Sequence, residues 1–111
     1  MVVFETLSIQ NKNIRLTEPQ WFHIRHKHSE CDGQTDKMIS TITAPDVILH
    51  DRREDVYHYL RHFQETPVTE KFMLTIVRHL NDEGFVITAF FVSKIRLEGK
   101  VKVYEKNIYK L

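Results

Sequence analysis

Residues 21–30 read WFHIRHKHSE, which places His23, His26 and His28 within six positions. Imidazole is the side chain whose proton moves near neutral pH. Two imidazoles beside one phosphate can therefore work as a pair, one accepting a proton while the other, protonated, donates one. The ring is also a common metal ligand, and His23 and His26, at i and i+3, can share an ion with Cys31 or an acidic residue completing the shell. Against zinc, the HxxHxH spacing matches no common zinc pattern and splays the third ring away on a helix. The plainest alternative is three rings that are solvated or sit at the rim of a core.

The elements that must position these rings follow from local patterning. VVFETLSI, the polar turn NKN and IRLT read as a strand pair over 2–16. TEPQ at 17–20 is a helix start, with Thr17 as N-cap, Pro19 in the first turn and Gln20 reaching back as a capping box. That helix runs through the histidines toward Gly33, and a second follows to Thr43, so the helices occupy about 18–43. On a helical wheel Trp21, Ile24 and Cys31 share the core face with His28 between the last two, while His23 and His26 lie on the far side. Pro45 stops the second helix. From there the period changes: DVILHD, VYHYLRHF, KFMLTIVRHL and FVITAFFVSKI are β-branched and aromatic runs of strand length over about 47–92. NDEG at 81–84 makes the last two an antiparallel hairpin, and 101–109 holds a candidate edge strand. The expected fold is α+β: one domain over 1–111, with two N-terminal helices packed on one face of an antiparallel sheet of about four to five strands.

Composition limits what such a domain can do. Sixteen basic against fifteen acidic residues leave the chain near neutral, so nucleic-acid binding needs a local basic patch. Seven histidines make the charge climb below pH 7. The single Cys31 cannot form an internal disulfide and fits a reducing compartment. The start MVVFETLSIQ lacks a signal-peptide pattern, and no apolar run is long enough to span a bilayer. The expectation is a cytoplasmic protein with no membrane partner.

Three stretches in this order, RLTEPQWFHIRHKH (15–28), MISTITAPDVILHDRRED (38–55) and FMLTIVRHLNDEGFVITAFF (72–91), resemble the phage-associated branch of the barnase–EndoU–colicin–RelE-like ribonuclease superfamily. That branch shows a Leu-Thr helix start, a Trp-x-His-Ile segment with a second histidine about five residues on, a helix ending in Pro-Asp, and a final strand reading like Ile-Thr-Ala-Tyr. Phe90 stands here where the tyrosine is usual, and Ser29 follows His28 where a proline is often found.

The resemblance implies a metal-independent endoribonuclease, a toxin or a phage- or mobile-element-associated protein, needing no cofactor. By position, His23 and His28 take the acid/base roles, Arg53 clamps the phosphate with its planar fork, and Thr88 donates a hydrogen bond. Arg52, Arg61 and Lys94 are the candidate contacts to flanking phosphates. The implied partner is RNA, with an antitoxin or immunity protein as a second candidate and the chain a monomer or homodimer. Two other readings stand beside it: a non-catalytic relative that binds protein or RNA, and a histidine-based metal-binding protein.

Overall fold

A computed structural model describes residues 1–53 and 55–106. The chain begins with strands β1 (Val2–Leu7) and β2 (Asn13–Thr17), then helix α1 (Glu18–Lys27), a 3-10 turn (Ser29–Cys31) and helix α2 (Thr35–Thr43). Strands β3 (Val47–Asp51), β4 (Val56–His62), β5 (Phe72–Leu80), β6 (Glu83–Val92) and β7 (Lys100–Glu105) follow. The expected edge strand thus occupies Lys100–Glu105, and positions 107–109 lie outside the described residues.

All the strands join one seven-stranded sheet in the order β1-β2-β6-β5-β4-β3-β7. This corrects the expected fold, an antiparallel sheet of about four to five strands: the sheet is larger and mixed. The N-terminal pair is not a separate hairpin, because β2 lies parallel to the start of β6, with Ile14 opposite Gly84. Glycine is what permits that approach. A Cβ at position 84 would sit 2.7 Å from Ile14 Cδ1 and 2.5 Å from the Arg78 carbonyl oxygen. At the other end β7 returns to pair antiparallel with β3. Both additions are pairings distant in sequence, which local periodicity does not encode.

Both helices pack on one face of the sheet. Ile24, Cys31, Met38 and Ile42 meet Ile48, Tyr59, Met73, Val77, Val86 and Ala89 there in one buried cluster. Trp21 packs against its margin. Strand alternation sends the intervening side chains to the opposite face, where Val47, Leu49, Leu60 and Leu74 are buried together with partly covered Ile76, Phe90 and Val92. Two devices shape this second face. In β6 the register against β5 slips by one residue, since Ile76 pairs Thr88 while Val77 pairs Val86, leaving Ile87 as the extra residue of a β-bulge. Val86 and Ala89 therefore both point into the helix-side core, and Thr88 is turned to the second face. The second device is the connection from β6 to β7. It starts beside Phe72 and ends beside Asp51, so residues 93–99 cross the second face diagonally as a strap, with Ile95 packed onto it.

The start of α1 differs locally from expectation. Thr17 makes no side-chain cap hydrogen bond, and Gln20 does not reach back: its Nε2 donates instead to the Ile87 carbonyl on the bulge. The helix ends at Lys27, with the His28 N–H donating to the Ile24 carbonyl.

Candidate functional site on the strapped face of the sheet

The centre of the second face is built from alternate residues of adjacent strands. His58 of β4 faces Ile76 of β5, and Ile76 faces Thr88 of β6. Beside this row lies an open cavity of about 630 Å³, lined by Arg53, Val56, His58, Ile76, Arg78 and Thr88. Arg53 and Thr88, predicted from separate parts of the sequence, thus border one space, with His58 and Arg78 between them.

Arg53 is held by Asp51. Its Nε and Nη2 donate to the two carboxylate oxygens at 3.2 and 3.1 Å, and its backbone N–H donates at 3.0 Å. These hydrogen bonds hold the Asp51 carboxyl well below the usual carboxylate range. The guanidinium uses two of its five N–H donors in this fork, and its side chain is 85% exposed. Asp51 also lies 3.5 Å from His58 Nε2. Burial, with Lys100 nearby, pushes the His58 pKa down despite Asp51, which makes the neutral ring the dominant form near pH 7.

A second, smaller cavity of about 200 Å³ adjoins the first and shares His58 as a wall. Its floor is Leu60, Leu74, Phe90 and Val92, and its rim is cationic, formed by Lys94 and Arg96 of the strap with Lys100 of β7.

The helix histidines approach this face from its side. β2 covers only the start of β6, and α1 runs along the uncovered remainder: Gln20 bonds the Ile87 carbonyl, and the Cys31 thiol lies 3.4 Å from the Ala89 carbonyl oxygen. At the end of this helix the His28 ring stacks on Phe90 with centroids 4.7 Å apart. Phe90 is two residues beyond Thr88 and lies on the same face. His23 is exposed one turn after Gln20, on the helix side that Gln20 directs at the bulge. His26 is exposed and tilts against Phe22 instead, with centroids 4.8 Å apart.

Of the candidate phosphate contacts, Lys94 lines the smaller cavity and Arg52 lies exposed in the bend before β4. Arg61 is elsewhere. Strand alternation puts it on the helix side, where Nη1 donates to the Ala44 carbonyl at 2.8 Å and the guanidinium lies over Phe63. Among the described residues no three His, Cys, Asp or Glu side chains converge in a way that could hold a metal.

Sequence reasoning missed His58, Arg78, Arg96 and Lys100. For His58 a signal was present: Val56, His58 and Leu60 form the alternate row to Tyr57 and Tyr59, so His58 is a titratable group set in an apolar stripe. Arg96 and Lys100 come to the face only through the path of the strap, which no local pattern announces. Neither family models, nor curated proteins, nor solved structures match this chain.

Proposed function

We propose that the strapped face binds single-stranded RNA and cleaves it without a metal, by transfer of the phosphate onto the neighbouring ribose 2′-oxygen. The supporting observation is the meeting of Arg53, Arg78, Thr88 and an imidazole around one open cavity. The reaction needs a base for the 2′-hydroxyl proton, an acid for the departing 5′-oxygen, and donors for the crowded phosphorane. Arg53 supplies guanidinium N–H groups beyond those in its fork with Asp51, and Thr88 its hydroxyl, while imidazole exchanges the protons. His28, anchored on Phe90 at the helix end, serves as the acid. His23 stands further back on the same helix as the second ring of the approach. The basic rim of the smaller cavity supplies the local patch that a near-neutral chain needs.

The test is incubation of purified protein with a labelled single-stranded RNA in EDTA. Fragments ending in 2′,3′-cyclic phosphate are expected. His28→Ala should lower the rate about 10²-fold. Folded wild-type protein that leaves the RNA intact across pH 5 to 9 would refute the reading in favour of a non-catalytic binding module.

A further inference from the structure

His58 occupies the wall between two chambers of different size. The larger sets the guanidinium groups of Arg53 and Arg78 and the Thr88 hydroxyl around apolar Val56, Ile76 and Ile87; the smaller has an apolar floor of Leu60, Leu74 and Phe90 under a rim of Lys94, Arg96 and Lys100. A nucleotide can span the two, its flat base on the narrow apolar floor and its anionic phosphate at the paired guanidinium groups and hydroxyl of the larger chamber. At about 200 Å³ the apolar chamber is smaller than the roughly 300–1,000 Å³ of sites for whole drug-sized ligands, and suits a single base. If the base rests there and the 3′-phosphate lies against Arg53 and Thr88, the ribose must cross His58.

The structure assigns His58 as the general base of the site: it takes the 2′-hydroxyl proton of a nucleotide whose base fills the apolar chamber, with Asp51 as its positioning residue. This rests on the ribonuclease reading above and gives the base role to a sheet residue rather than to His23. Asp51 faces Nε2, which favours the proton on that nitrogen and leaves the Nδ1 lone pair as acceptor. In the step itself the 2′-O–H proton passes to Nδ1 and the 2′-oxygen forms a bond to phosphorus. The P–O5′ bond breaks, and the departing O5′ takes a proton from His28. The products are a 2′,3′-cyclic phosphate and a 5′-hydroxyl, with no oxidant or further reactant required.

Among the described residues, the charged groups around His58 are Asp51 from β3, Arg53 from the following bend, Arg78 from β5, and Lys100 from β7, with Lys94 and Arg96 on the strap. Most are cations, which disfavour a positive charge on the ring and keep it neutral and able to accept a proton.

Two measurements test the assignment. Cleavage of uridylyl-(3′→5′)-adenosine should fall about 10²-fold in His58→Gln, with KM little changed, and stay at the wild-type rate in His26→Ala. In Asp51→Asn the acid limb of the pH–rate profile should move to lower pH, because the carboxylate no longer supports the imidazolium. Independently of activity, uridine 3′-monophosphate added to wild-type protein should shift the His58 ring resonances and raise their titration midpoint. If wild type cleaves the dinucleotide and His58→Gln retains its rate, or the ring resonances do not respond, the assignment is wrong while the ribonuclease reading stands. If folded wild type cleaves nothing, both fall together.

Discussion

The phenol oxygen of Tyr59 and Nε2 of His79 share a hydrogen bond of 2.9 Å on the helix side of the sheet, where both residues are buried. Tyr57 stacks on the same imidazole with centroids 4.0 Å apart. Burial pushes His79 down to about 4, so the folded protein holds it neutral. The unfolded chain protonates this ring near pH 6.5 and the folded chain only near 4, so stability is intact above the first value and falls as pH drops toward the second. A loss of about 3 kcal/mol is expected over that window, flattening below it. Urea denaturation between pH 7.5 and 3.5 measures it, and His79→Gln should remove most of the slope. Tyr59→Phe leaves the buried ring nitrogen without its partner and should cost about 1–3 kcal/mol at pH 7.

Gly84 bears on whether the N-terminal strands belong to the sheet. Gly84→Ala drives a methyl into the Arg78 carbonyl and the Ile14 side chain, and the backbone side of that clash cannot rotate away. A destabilisation of about 2–3 kcal/mol is expected. Amide exchange should accelerate first in β2 and at the start of β6, while β4 and the middle of β5 keep their protection.

Cys31 has no exposed surface, and burial pushes its thiol up to about 12. Nucleophilic reactivity belongs to the thiolate, so the native protein should resist an aromatic disulfide reagent at pH 8. Denaturant should release one reactive thiol per chain. Rapid labelling of the folded protein would contradict the packing of the 3-10 turn against β6.

The basic rim predicts a particular salt dependence. Each phosphate contact on a single strand contributes a slope of about 0.7 in log affinity against log salt. Lys94→Ala or Arg96→Ala should each reduce the slope for oligouridylate by about 0.7, read by fluorescence anisotropy across a potassium chloride series. Lys37→Ala should leave it unchanged, since that ammonium lies over Phe63 on the helix side.

Legibility in the sequence followed the range of the interactions concerned. The hairpin turn before β6 is written in NDEG, where Asn81 adopts a φ of 51° that asparagine tolerates. The burial of Ile24 and Cys31 follows from helical spacing, although Cys31 belongs to the 3-10 turn rather than to α1. Gln20 misled: its capping-box position is sound locally, but a carbonyl freed by the bulge at Ile87 offered a tertiary partner. The mixed sheet was illegible for a related reason. Pairing Ile14 with Gly84 is a contact between residues far apart in the chain, and neither strand's alternation names its neighbour. The site divides in the same way. Arg53 and Thr88 are named as candidates by resemblance alone, whereas His58 joins the face only once β3 and β4 are aligned and the bulge has turned Thr88 toward it.

The strand β7 closes one edge of the sheet with an alternating row, Lys100, Val101, Lys102, Val103. Its outer backbone groups are a template on which another chain could polymerise, and the two half-exposed valines would reward it. The lysines work against that outcome. A second copy aligning with this edge would have to crowd these charged side chains, so Lys100, which completes the basic rim, also guards the molecule against fibrillar self-association.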